Sequence, residues 1–136
     1  MNSLKKIKEW LNTFTSFNEQ EQVDCQYIRQ FLEEEPNLLL RDNVKMHFTA
    51  SAWVLNPSKD KVLMLYHNIY QSWSWSGGHA DGEGDLLSVA MKEVKEESGL
   101  VSLKPLSDSP LSIEILGVQP HYKKQKYVSA HLHLNY

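Results

Sequence analysis

The chain has 136 residues, 41% hydrophobic and 23% charged, which is enough for one globular domain with its own core. Seventeen acidic against fourteen basic side chains leave a net charge of −3, which argues against general nucleic-acid binding through a basic field. The lone Cys25 excludes an internal disulfide framework and a cysteine-rich zinc site. No apolar run reaches the roughly 18 residues of a membrane helix, and the start, MNSLKKIKEWLNTF, lacks a signal-peptide core. No membrane partner is expected, and a reducing cytoplasm fits.

Leu4, Ile7, Leu11 and Phe14 recur at helical spacing and predict an amphipathic helix over 3–14. Asn18 then stands as a cap with Glu21 three residues on, and Val23, Tyr27, Phe31 and Leu32 follow before Pro36 stops the helix. Residues 1–42 are therefore expected to form a helical hairpin. It serves as a partner-binding element or, more plainly, packs on its own domain. From residue 43 the character changes. MHFTASAWVL and KVLMLYH are rich in β-branched, aromatic and aliphatic residues around the turn NPSKD, a β-hairpin pattern. YQSWSWS predicts a further extended segment. LSIEILGVQPHY and KYVSAHLHLNY read as strands joined by a basic turn at Lys123, Lys124 and Lys126.

Between these strands lies GGHADGEGDLLSVAMKEVKEESGL, residues 77–100. Asp85 is a good N-cap, residues 86–98 contain no Gly or Pro, and Gly99 stands where helices commonly end in the left-handed conformation. Leu87, Ala90, Met91 and Val94 form the expected apolar stripe. Glu93 lies one turn below both Glu96 and Glu97. Three like charges in the last half of a helix, where the dipole disfavours anions, call for a counter-ion. A hard divalent cation, Mg²⁺ or Mn²⁺, takes oxygen ligands and keeps waters and substrate phosphates in its shell. Held here, it would suit attack on a diphosphate linkage. The plainer alternative is a solvated acidic face balanced by Lys92 and Lys95.

The same stretch resembles the signature of Nudix hydrolases, G-x5-E-x7-R-E-U-x-E-E-x-G-U with U a bulky aliphatic residue. Gly78, Glu93, Val94, Glu96, Glu97, Gly99 and Leu100 match in register. The signature's first glutamate falls on Gly84, flanked by Glu83 and Asp85. Its arginine falls on Lys92, which keeps the charge but lacks the bidentate fork. The weaker similarity runs from about Met46 to the end. It implies an α/β (α+β) fold: a Nudix-type α-β-α sandwich with a mixed β-sheet over 43–136, preceded by the helical hairpin. It also implies that Glu93, Glu96 and Glu97 are catalytic and bind Mg²⁺ or Mn²⁺, with a backbone ligand from Gly78. The substrate would be a nucleoside diphosphate derivative, cleaved at its diphosphate linkage. The departures at Gly84 and Lys92 keep a second reading in play, a nucleotide-binding or regulatory module without catalysis. An isomerase on the same fold would need a cysteine near the site, where Cys25 is badly placed.

Outside the motif, Trp73 and Trp75 alternate on one side of their predicted strand and are candidates to stack on a nucleobase or to pack locally. His79 and Glu83 in the acidic loop are candidates to meet the substrate. His131 and His133 share a face of the last strand and are candidates for phosphate or metal, or for ordinary hydrogen bonding. Relatives of this kind normally continue past a strand such as SAHLHLNY. The resemblance therefore implies either a shortened chain, whose uncovered sheet would favour association with a second copy, as a homodimer, or misfolding, or other elements that complete the sheet and cover its core.

Overall fold

The computed structural model describes residues 4–68 and 70–136. Two helices open the chain, α1 (Lys5–Thr13) and α2 (Glu19–Glu34). Strand β1 (Met46–Ala52) follows, then the short strands β2 (Leu65–His67), β3 (Ser72–Ser74) and β4 (Ser76–His79). Helix α3 (Leu86–Ser98) leads to β5 (Glu114–Val118), β6 (His121–Lys123), β7 (Lys126–Val128) and β8 (His131–Asn135). The fold is α+β. Its main sheet is mixed, in the order β4-β1-β8-β5: β1 runs antiparallel to β4 and parallel to β8, and β5 antiparallel to β8. The pairs β2-β3 and β6-β7 form two small separate sheets.

Alternation along β1 explains the layering. Met46, Phe48 and Ala50 point to one face and His47, Thr49 and Ser51 to the other, because successive strand residues face opposite ways. Phe48 and Ala50 join Leu134 and Ile113 in one core cluster with Ile7 and Leu11 of α1, Cys25, Ile28 and Leu32 of α2, and Leu86, Val89 and Ala90 of α3. All three helices therefore cover the same face of the main sheet. Full burial of each large aliphatic or aromatic side chain there contributes roughly 1.5–3 kcal/mol. The resemblance implies helices on both faces; among the described residues the second face carries none and is lined by His47, Thr49, Ser51, His133 and Asn135. Its centre is held by polar bonds: Thr49 Oγ1 donates to Asn135 Oδ1 at 2.9 Å, and Asn135 Nδ2 donates to Ser51 Oγ at 2.9 Å and to Glu114 Oε1 at 3.1 Å.

Two helix faces differ from expectation. On α2, Val23 and Tyr27 are exposed and Phe31 is half-buried, while Cys25, Ile28 and Leu32 face the core together with Glu21 and Asp24. The carboxylates are buried because they do backbone work. Glu21 Oε2 accepts from the Ile113 amide just before β5 and Asp24 Oδ2 from the Ile115 amide within it, each at 3.1 Å, so α2 covers the start of the free edge of β5. On α3 the buried set is Leu86, Val89, Ala90 and Val94, with Leu87 and Met91 only half-buried at the rim.

The predicted β1 hairpin closes only briefly. Leu55 bridges Val62 around a turn in which Asn56 Oδ1 accepts the amides of Asp60 and Lys61, while β1 itself pairs with β4 and β8. YQSWSWS is not one strand either. The chain leaves one sheet and enters another at Trp75. At the basic hairpin tip, Lys124 and Gln125 both have positive φ, 51° and 63°, as a two-residue turn joining twisted strands requires.

Candidate active site

Strand β4, the loop after it and α3 form a strand-loop-helix unit that carries the glutamates. The loop is tied to the N-terminal region. Gly82 N–H donates to the Leu39 carbonyl and Ala80 N–H to the Phe48 carbonyl, and Arg41 grips Asp81 through two bonds of 2.9 and 3.0 Å. Gly82 has φ +94°, which favours glycine. Asp85 caps α3 by accepting from Ser88 N–H at 3.3 Å and from Lys6 Nζ at 2.8 Å. The Lys6 bond, more than the Ser88 amide, holds the Asp85 carboxyl below its usual range. The helix ends at Gly99, φ +77°, whose N–H donates to Lys95 O.

Three-residue spacing on α3 points Glu93 at the sheet. A Cβ added to Gly78 would stand 2.5 Å from Glu93 Oε1, so the carboxylate lies directly over glycine backbone. Burial pushes the Glu93 carboxyl above its ordinary range, and the charges of Glu97 and then Glu96 push the same way. Glu97, exposed, is fixed to β4: its Oε1 accepts from Ser76 Oγ at 2.8 Å and Gly77 N–H at 3.2 Å. Glu96 faces solvent within 3.8 Å of Lys92 Nζ. The fold thus brings Glu93 and Glu97 to Gly78 and Gly77, with Glu96 at the rim. Glu83 is exposed, its Oε1 accepting from the Asp85 amide at 2.8 Å, so it serves as a local cap inside the loop. No protein-family model and no curated protein matches this chain.

The tryptophans are divided between two places. Trp73, 69% exposed, meets Tyr66 edge-on across β2 and β3 at 5.5 Å. Trp75 and Trp53 line a groove of about 240 Å³ together with Pro110, Leu111 and Tyr136. The rest of its lining is Ser51, Ala52, Ser112 and Glu114, so none of Glu93, Glu96 and Glu97 lines this groove.

His79 faces away from them. Although it follows Gly78 directly, its imidazole joins His47 and His133 on the other side of the sheet, with ligand atoms of the three all within 4.8 Å of one another. Among the described residues this is the one set of three His, Cys, Asp or Glu side chains that closes to that spacing; Glu93, Glu96 and Glu97 do not. Burial drives the His79 imidazole down to about 4 and His133 to about 3, and lowers His47 as well, so all three are neutral near pH 7. His47 is the member that sequence reading missed. The alternation His47, Thr49, Ser51 against Met46, Phe48, Ala50 was available, but its meeting with His133 depends on a parallel pairing across more than eighty residues.

Proposed function

We propose that the chain is a divalent-metal-dependent hydrolase of a diphosphate linkage in a nucleoside diphosphate derivative, an enzyme of Nudix type. The observation that carries this reading is the placement of Glu93 over Gly78 with its carboxyl pushed up by burial and by Glu97 and Glu96. An anionic group raised by its like-charged neighbours, beside glycine backbone in a pre-tied loop, fits a hard oxygen-seeking cation. The open spacing of the trio also fits, since Mg²⁺ keeps several waters and is bound through few carboxylates. Glu93, Glu96 and Glu97 would hold Mg²⁺ or Mn²⁺, with backbone from the Gly78 turn.

When bound, the ion supplies charge neutralisation on the phosphate oxygens and a more acidic water. Glu93, whose carboxyl titrates above its usual range, is the group suited to take the proton of the attacking water. Glu97, fixed by Ser76 and Gly77, holds its carboxylate in one orientation. A second reading, nucleotide binding without turnover, is favoured by one observation: Glu97 already spends an oxygen on two protein donors.

Incubation with nucleoside diphosphate sugars, dinucleotides, ADP-ribose and nucleoside triphosphates, with and without Mg²⁺ or Mn²⁺ and with a phosphatase to reveal products, separates the two. Metal-dependent release that is lost in Glu93→Gln supports the hydrolase. Binding of the same nucleotides without release supports the module.

A further inference from the structure

Four imidazoles converge on the sheet face that the helices leave uncovered. His47 of β1 and His133 of β8 are direct partners in the parallel register. His79 of β4 stands opposite Thr49, two residues from His47 on the same face, and His131 is two residues from His133 on theirs. Ring centroids of His47 lie 5.3 Å from His79, 5.0 Å from His131 and 5.2 Å from His133.

Their hydrogen bonds define where the lone pairs are. His47 Nδ1 lies 3.1 Å from the Asn43 carbonyl, so it must carry the proton there. Its Nε2 is then a bare acceptor, and it is buried with no hydrogen-bond partner in a residue only 4% exposed. An imidazole that donates one N–H to a backbone carbonyl and presents its other nitrogen unpartnered has the outer-shell arrangement of a metal-bound histidine. His131 repeats the pattern: Nδ1 donates to the Ser129 carbonyl at 2.8 Å, leaving Nε2 to accept from His133 Nε2–H at 3.1 Å. In a neutral His133 the lone pair is therefore on Nδ1.

We propose that His47, His79 and His133 bind one divalent transition-metal ion, Zn²⁺ in the first instance, joining β1, β4 and β8 through their side chains. Three imidazole nitrogens are the donor set for borderline ions such as Zn²⁺, Cu²⁺ or Ni²⁺ and a poor one for Mg²⁺. His131 stands beside the set, positioned to complete it or to orient His133. This site is distinct from the glutamate site. Gly78, under Glu93, and His79 are consecutive strand residues and face opposite sides of the sheet.

The full chain, stripped with a chelator, would be titrated with Co²⁺ and then Zn²⁺. One equivalent of Co²⁺ should give the visible absorption of a four-coordinate ion, Zn²⁺ should displace it, and Zn²⁺ should raise the thermal midpoint. His79→Gln and His133→Gln should each weaken binding by about 100-fold or more, at or beyond the upper end of what an outer-shell partner is worth, whereas Glu93→Gln should leave it unchanged. Circular dichroism checks that the variants fold. If they do not, the imidazole resonances of the unaltered chain decide: Zn²⁺ should shift His47, His79 and His133 and leave His67 and His121 in place. Absence of one-equivalent binding, shifts confined to other histidines, or loss of Co²⁺ binding in Glu93→Gln with no loss in folded histidine variants, would overturn the site. None of these results depends on hydrolysis, so failure here and failure of the proposed activity are separate outcomes.

Discussion

Gly78 and Glu93 are bound to each other by space. A methyl at residue 78 would meet the Glu93 carboxylate at distances no real Cβ shows, so Gly78→Ala must rotate Glu93 away. The atoms displaced belong to a flexible side chain and not to backbone, so the loss of stability should be small, and metal-dependent turnover should fall far more steeply than stability. Paired measurement of urea midpoints and rates checks it; equal losses in both would mean that the glycine is only structural. Glu93→Gln should do the reverse in the metal-free chain. The folded Glu93 carboxyl titrates above its unfolded value, so its charged form disfavours the fold, an effect absent below the usual glutamate range and complete above the raised one. Removing the charge should therefore stabilise at pH 7 by about 0.2–0.5 kcal/mol, the scale of a like-charge helix pair, while abolishing turnover. A urea titration at pH 7 and again near pH 3 would show the gain at the first pH only.

Capping and termination were legible at the level of elements because they are local. Asn18 accepts from the Glu21 amide at 2.9 Å, and Asp85 and Gly99 bound α3 as their side-chain chemistry dictates. The face of α2 was not legible. The cap signal gave Glu21 a local role and nothing in the sequence singled out Asp24, because the amides they accept from, Ile113 and Ile115, lie some ninety residues away. Removing Asp24 leaves the partly buried Ile115 amide unpaired, at a cost of about 1 kcal/mol. Asp24→Ala should therefore lower stability by that amount, whereas Val23→Ala on the exposed side should stay within about 0.5 kcal/mol. The same unfolding titration compares them; parity would remove α2 from its role as the edge cover. At α3, Asp85→Ala should cost about 1 kcal/mol at neutral pH. The folded Asp85 carboxyl is depressed by Lys6, so its stabilisation is complete above the ordinary aspartate value and fades as pH falls through the depressed one. The difference between wild type and variant should shrink across that window.

Across the whole molecule the two faces of one sheet have opposite chemistry, apolar under three helices and polar around the histidines. The glutamate helix was visible in the sequence because its carboxylates are three and four residues apart. The histidine cluster was not, because its members come from three strands and are brought together only by the β4-β1-β8 order. That order makes a prediction for the chelator-treated chain. His79 and His133 are neutral in the fold, down to about 4 and about 3, chiefly through burial, and the charges around them are the other imidazoles with Arg41, Asp81 and Lys123 near His79. In the unfolded chain both take up protons near the usual histidine value of about 6.5. The unfolded state thus binds more protons below that value, and stability must fall with pH. It is fully present above about pH 6.5 and is lost progressively toward pH 4 and below. His79→Gln should flatten the upper part of that fall, measured as urea midpoint against pH. With Zn²⁺ present the fall should become steeper, because protons then compete with the ion for the same nitrogens.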